Sequence, residues 1–157
     1  MRMSFDLDGV ITDSEKWFFG ILSTLRQMHN KELLDAIEIL YYSTRQIRYN
    51  PFQFLSARDE GFIITARKPI SHAITESWLL NHAIYLPIIY VDPDNSIDWI
   101  DYMESSYESA KRKVDIMGLR EITTHLDNNP YIVTKMRQLM PSATIIQIGG
   151  EPCQPSM

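Results

Sequence analysis

With 157 residues, the chain has the length of one domain and enough material for a sizeable core. Apolar residues make up 45% and charged residues 22%, an ordinary balance for a soluble globular protein. The formal net charge of −5 argues against a protein that coats polyanions and leaves small anionic substrates open.

Residues 2–7 are short and mostly apolar, which predicts a first strand. Asp13 or Ser14 can cap the helix that follows, where Trp17, Phe18, Ile21, Leu22, Leu25 and Met28 recur at helical spacing. A second helix is expected from about Lys31 to Tyr42, with Leu33, Leu34, Ile37, Leu40 and Tyr41 on one face. Tyr49-Asn50-Pro51 breaks that pattern, and a short helix over Pro51 to Ala57 fits the next residues. Gly61 to Thr65 predicts a second strand ending in a hydroxyl. Pro69 then opens a helix with Ile70, Ala73, Ile74 and Trp78 inward. Leu86 to Val91 is a third strand, followed by the turn-forming Asp92-Pro93-Asp94-Asn95. Met103, Tyr107, Ala110, Val114 and Met117 make a helical stripe that Gly118 should stop. Ile122 to Leu126 is a weak fourth strand ending at Asp127. Pro130 starts a helix carrying Ile132, Val133, Met136 and Leu139, and Ala143 to Ile148 is a fifth strand closed by Gly149-Gly150.

Strand and helix thus alternate five times. That predicts an α/β, three-layer Rossmann-like fold: a five-stranded parallel sheet with helices on both faces, and a small helical insertion after the first strand. Ligands of such sheets bind beyond the carboxyl ends of the strands. The residues at those ends are Asp6 and Asp8, Thr65, Asp92 and Asp127, with Lys111-Arg112-Lys113 upstream of the last. Acids gathered on one edge repel one another unless a cation sits among them. Mg²⁺ takes one or two carboxylates plus waters and a phosphate, so the pattern points to Mg²⁺ with a phosphoryl group. Asp8-Gly9 between apolar residues is also a hairpin signal. A calcium loop counted from Asp6 fails at Val10, Ile11 and Trp17, where it needs an oxygen ligand, a glycine and an acid. Asp92 is better placed to cap its own turn, and the four histidines show no close metal-ligand spacing.

Taken together, these stretches resemble a known family. Phe5-Asp6-Leu7-Asp8-Gly9-Val10 looks like the first motif of the haloacid dehalogenase superfamily of phosphotransferases. Ile63-Ile64-Thr65-Ala66-Arg67 resembles its second motif, Lys111 or Lys113 its third, and His125-Leu126-Asp127-Asn128-Asn129-Pro130 its fourth. The resemblance covers roughly residues 2–148 and implies a Mg²⁺-dependent phosphomonoester hydrolase working through an aspartyl-phosphate. Asp6 would be the nucleophile and Asp8 the acid/base. Asp6, the Asp8 backbone carbonyl, Asp127 and Asn128 would hold the metal, and Asn128 replaces the second acid common at that place. Thr65, Ala66, Arg67 and a lysine would bind the phosphoryl group. By its distance from Gly118, Lys111 is favoured over Lys113, with Arg120 or Lys68 as substitutes.

Residues 14–60 hold more chain than one crossover helix needs, so a small helical cap-like insertion is expected within a single domain over residues 1–157. The Thr-Ala-Arg and Asp-Asn-Asn-Pro stretches are similar to the deoxyribonucleotidase branch, which makes a 5′-nucleotidase one candidate. Arg45, Arg48, Tyr41, Tyr42, Tyr49 and Phe52 would then meet base and phosphate, the alternative being an ordinary packed hairpin. A small cap also suits a macromolecular substrate or a homo-oligomer whose neighbour closes the site. The competing class is a catalytically weak module that binds a phosphorylated ligand or a protein partner, and a receiver domain fits poorly. The expected partner is a phosphorylated small molecule such as a nucleotide, with nucleic acid and membrane not expected. The single cysteine, Cys153, allows no internal disulfide, no stretch reaches the ~20 apolar residues of a membrane span, and Asp6 interrupts the N-terminal apolar run, so a cytoplasmic location is expected.

Overall fold

The computed structural model describes residues 1–14 and 16–149. Cys153, Gly150 and the Trp17 side chain lie outside the described residues. The elements are β1 (Arg2–Phe5), α1 (Lys16–Gln27), α2 (Lys31–Ser43), β2 (Glu60–Thr65), α3 (His72–Asn81), β3 (Ile88–Tyr90), α4 (Tyr102–Arg120), β4 (Thr124–Asp127), α5 (Pro130–Leu139) and β5 (Thr144–Gln147). Single 3₁₀ turns at Pro51–Gln53 and Pro69–Ser71 begin with the prolines that stop the preceding pattern. No helix among the described residues is long and apolar enough to cross a membrane.

All four strand pairings are parallel, in the order β3-β2-β1-β4-β5. The predicted five-stranded parallel sheet is what the structure shows. Alternation along β2 puts Ile63 and Ile64 on opposite faces, and each anchors a separate apolar layer. One layer joins Phe5, Leu7, Ile63, Leu126, Trp78 and Leu79, the last two from α3. The other joins Ile64, Ile145, Ala110 and Met117 of α4, and Val133 and Met136 of α5. Strand order runs outward from β1 to β3, then returns across α4 to the other side of β1. The reversal lies between β1 and β4, where open sheets of this type place their crevice.

α1 and α2 form a hairpin with its own small core of Phe18, Leu22, Leu25, Leu34 and Tyr41. Phe18 is buried, its ring stacked on Tyr41 with centroids 3.4 Å apart. The hairpin hangs from a strap in which Asp13 donates its backbone N–H to Gln46, Arg48 to Ile11 and Tyr49 to Val10. Its buried face differs from the expected one. Leu33 and Leu40 are exposed, at 45% and 65%, while Leu34, Glu38 and Tyr41 are buried. Positions 34, 38 and 41 share a stripe at helical spacing, and α1 covers that stripe. Gly118 does not end α4. The helix runs on to Arg120, and Glu121 adopts the left-handed cap at φ 54°, with Ile122 donating to the Met117 carbonyl and Glu121 to that of Gly118.

The β4–α5 turn is set by Asn129. Its Oδ1 accepts the backbone N–H groups of Tyr131 and Ile132, and its Nδ2 donates to Tyr102 and Ser106 of α4. One side chain thus caps α5 and ties it to α4. Asn129→Ala removes the cap and the bond to the buried Ser106 hydroxyl. The expected loss is about 2–3 kcal/mol by urea denaturation; a loss below about 0.5 kcal/mol contradicts this role.

Candidate functional site

Asp6 follows β1 and Asp127 ends β4, so the parallel register brings the two to the crevice between neighbouring strands. Asp6 donates its backbone N–H to Leu126, which extends the pairing to the rim. Lys113 reaches up from α4 between them. Its Nζ lies 2.8 Å from Asp6 Oδ1 and 2.6 Å from Asp127 Oδ2, and the lysine is fully buried. The cation required among these acids is therefore, in the first instance, an ammonium.

Burial alone would push both carboxyls up, and they differ in how much is returned. Asp127 accepts Lys113, the His125 ring at 3.2 Å and the Asn129 backbone N–H at 2.9 Å. Lys113 and His125 hold it well below the usual carboxylate range, against its burial. Asp6 has Lys113 as its ion-pair partner, and burial, with Asp127 and Asp8 nearby, pushes it up to about 7. The two acids hold Lys113 firmly protonated despite its burial. Burial also pushes the His125 imidazole down, so it is neutral, with Nδ1 2.8 Å from the Ser4 hydroxyl. The nitrogen that faces Asp127 then carries the hydrogen, and Ser4 donates to the other.

A second cluster lies one turn of chain away. Arg67 donates to Asp8 from Nε at 3.0 Å and from one terminal nitrogen at 2.6 Å, and from the other to Thr75 at 2.9 Å. This fork ties the Asp8 carboxylate to the guanidinium through two bonds. Thr12 adds a bond of 3.3 Å to the same side chain. Above the guanidinium lies the Tyr42 ring of α2, 3.8 Å from Cζ to centroid. Gly9, between the clusters, has φ +83°, and a Cβ there would strike the Asn128 carboxamide at 2.0 Å. The conformation favours glycine, a side chain there would displace the Asn128 carboxamide, and Asp8-Gly9 serves a loop rather than a hairpin.

Several expectations for individual residues are revised. Lys111 is 56% exposed on its side chain and pairs with Glu108 at 3.7 Å, so of the two candidate lysines Lys113 reaches the acids. The two positions stand about 200° apart around the helix, and only one can face the sheet. Arg67, expected on the phosphoryl group, spends all three guanidinium nitrogens on Asp8 and Thr75. Arg45 lies over the Tyr41 ring and Arg48 donates to the Gly9 carbonyl, so both are tied to the hairpin and its strap. Thr65 is buried at the end of β2 and accepts the Arg67 backbone N–H, with Ala66 half-buried between them. Asp92 caps its turn through the N–H groups of Ser96 and Ile97, as its position suggests. His125 was not anticipated. The available signal was period-two alternation, which puts residues 125 and 127 on one side of β4.

Among the described residues, no group of three or more His, Cys, Asp or Glu side chains is gathered to hold a metal. The donors that fit Mg²⁺ are fewer and hard: the Asp6 carboxylate, the Asp8 backbone carbonyl and the Asn128 carboxamide. Asp127, fully buried and bonded through both oxygens, serves chiefly as the counter-ion of Lys113. An open cleft of about 330 Å³ lies between the α1–α2 hairpin, Lys68 and the 95–100 segment, walled by Arg26, Lys31, Leu34, Asp98 and Ile100, and none of Asp6, Asp8, Asp127 or Lys113 lines it.

No protein-family model and no curated protein matches the chain. Its fold is similar to that of a chain in the solved structure of the Pnkp1/Rnl/Hen1 RNA repair complex, with a TM-score of 0.57 at 15% identity. The match covers 94% of this protein and 42% of that chain, so this protein spans under half of its structural neighbour.

Lys113 and Lys111 separate by stability alone. Lys113→Met leaves two buried acids without a counter-ion and should cost about 3–5 kcal/mol at pH 8, whereas Lys111→Ala should change stability by less than about 0.5 kcal/mol. Without the ammonium both carboxyls bind protons more tightly in the folded state than in the unfolded one. The Lys113→Met deficit should therefore grow from pH 5 to pH 8. Denaturation at the two pH values checks this, and a pH-independent deficit contradicts it.

Proposed function

We propose that the protein is a phosphomonoester hydrolase that depends on Mg²⁺ and uses Asp6 as nucleophile. The observation that carries this reading is Lys113 bridging Asp6 and Asp127 at the strand-order reversal, with a clamped Asp8 two residues beyond the nucleophile.

The parts divide the work as follows. An Asp6 oxygen attacks phosphorus, the ester oxygen leaves and Asp8 supplies its proton. Asp8 then takes a proton from water, whose oxygen attacks the aspartyl-phosphate and releases inorganic phosphate with Asp6 restored. In this reading Lys113 and the Thr65 hydroxyl would meet the charge on the phosphoryl oxygens. Asp6, the Asp8 carbonyl and Asn128 would hold Mg²⁺, which supplies positive charge to the entering phosphate and favours the ionised form of Asp6. Burial pushes Asp6 up to about 7, and a bound dication would favour its ionised form.

The fold neighbour in an RNA repair complex supports a nucleotide-like substrate class only through the shared fold. The commitment of Asp127 to Lys113, with Asn128 as a neutral donor, favours a second reading: a weakly catalytic module that binds a phosphorylated ligand.

Turnover of p-nitrophenyl phosphate and a nucleotide panel with Mg²⁺ distinguishes the two. Wild type should hydrolyse at least one substrate, with Asp6→Asn slower by at least about 10³-fold and chelation of Mg²⁺ equally damaging. Equal rates for wild type and Asp6→Asn would remove the nucleophile assignment, and phosphate binding without turnover would favour the second reading.

A further inference from the structure

We infer that Tyr42, on the α1–α2 hairpin, is a positioning residue that sets the Asp8 carboxylate through Arg67. This rests on the reading of Asp8 as acid/base and gives the hairpin a task beyond closing over substrate.

Arg67 is one of the few charges buried almost completely, at 3% exposure. The edge formed by Nε and one terminal nitrogen of its guanidinium meets Asp8, the other terminal nitrogen meets Thr75 of α3, and one face meets Tyr42. The in-plane bonds fix where the fork points within its plane. They do little to stop the plane from tilting, and a tilt would carry the Asp8 carboxylate with it. The ring 3.8 Å above Cζ opposes that tilt. Such a contact is strongest for a desolvated cation, the condition Arg67 is in.

Tyr42 is itself held from behind. Its ring packs edge-on against Phe18 of α1 at 6.1 Å and against Tyr41 at 5.7 Å. Trp78 of α3 donates its indole N–H to the Arg45 carbonyl just past α2, at 2.7 Å. Thus α3 fixes both the hairpin and, through Thr75, one edge of the guanidinium. In this arrangement Tyr42, with Phe18 and Tyr41 behind it, serves as the back wall of the acid rather than as a platform for a base. The role belongs to the ring face, so it needs an aromatic side chain and not the hydroxyl.

The test compares Tyr42→Leu with Tyr42→Phe. For p-nitrophenyl phosphate and for a nucleotide alike, Tyr42→Leu should lower kcat about tenfold with KM within twofold, and Tyr42→Phe should retain wild-type kcat. A change confined to KM for the nucleotide means base stacking and overturns the proposal, as does unchanged kcat in Tyr42→Leu or a failure of Phe to rescue. A readout independent of turnover is the Arg67 Nε–H resonance in ¹⁵N spectra. It should exchange slowly with solvent in wild type and Tyr42→Phe and rapidly in Tyr42→Leu. Retained protection in Tyr42→Leu overturns the proposal even if no substrate is turned over, so its failure is distinct from failure of the hydrolase reading.

Discussion

A buried ammonium between two carboxylates is the interaction on which the rest of the structure turns. Each of the three groups would be costly to bury alone, and together they leave one net negative charge in a well of low dielectric. The asymmetry of hydrogen bonds around Lys113 decides where that charge rests. Asp127 collects three donors and keeps it, while Asp6, with the ammonium, is left nearer neutrality. An acid held in this way is sensitive to any further charge at the rim.

Around that ion group the fold separates rigid parts from adjustable ones. The sheet and the two apolar layers fix Asp6 and Asp127. Asp8 sits on a loop beyond the last sheet bond of β1, and it depends on Arg67, Thr12 and the packing behind them. Two acids separated by one residue thus belong to two mechanical regimes, one built into strand pairing and the other held by side chains from α2, α3 and the β2–α3 turn.

Much of this plan was legible in the sequence. Alternating strands and helices, with Asp6 and Asp127 at strand ends, sufficed to place the rim because parallel pairing leaves few arrangements. The choice between Lys111 and Lys113 was not legible by distance to Gly118. That landmark assumes the helix stops at the glycine, and α4 continues to Arg120 and caps at Glu121. Phase against Ala110 and Met117, both buried, would have favoured Lys113, since positions 110, 113 and 117 share a stripe. The pairing of Arg67 with Asp8 was not legible because its neighbours in sequence say nothing of which oxygen its long side chain meets. His125 escaped notice because a histidine in a strand looks like packing until its partners, Ser4 and Asp127, are known.

The ion group also joins parts of the chain that emerge far apart during synthesis. Asp6 and Lys113 are 107 positions distant, and Asp127 lies 14 beyond the lysine. Neither half of the arrangement is local, so no early fragment can hold it, and its formation waits on the central β1–β4 pairing. A ribosome-bound chain lacking the last strands carries these charges unmatched. The ion group therefore arrives in one step with the completed sheet, and a partly folded molecule has no partial version of it.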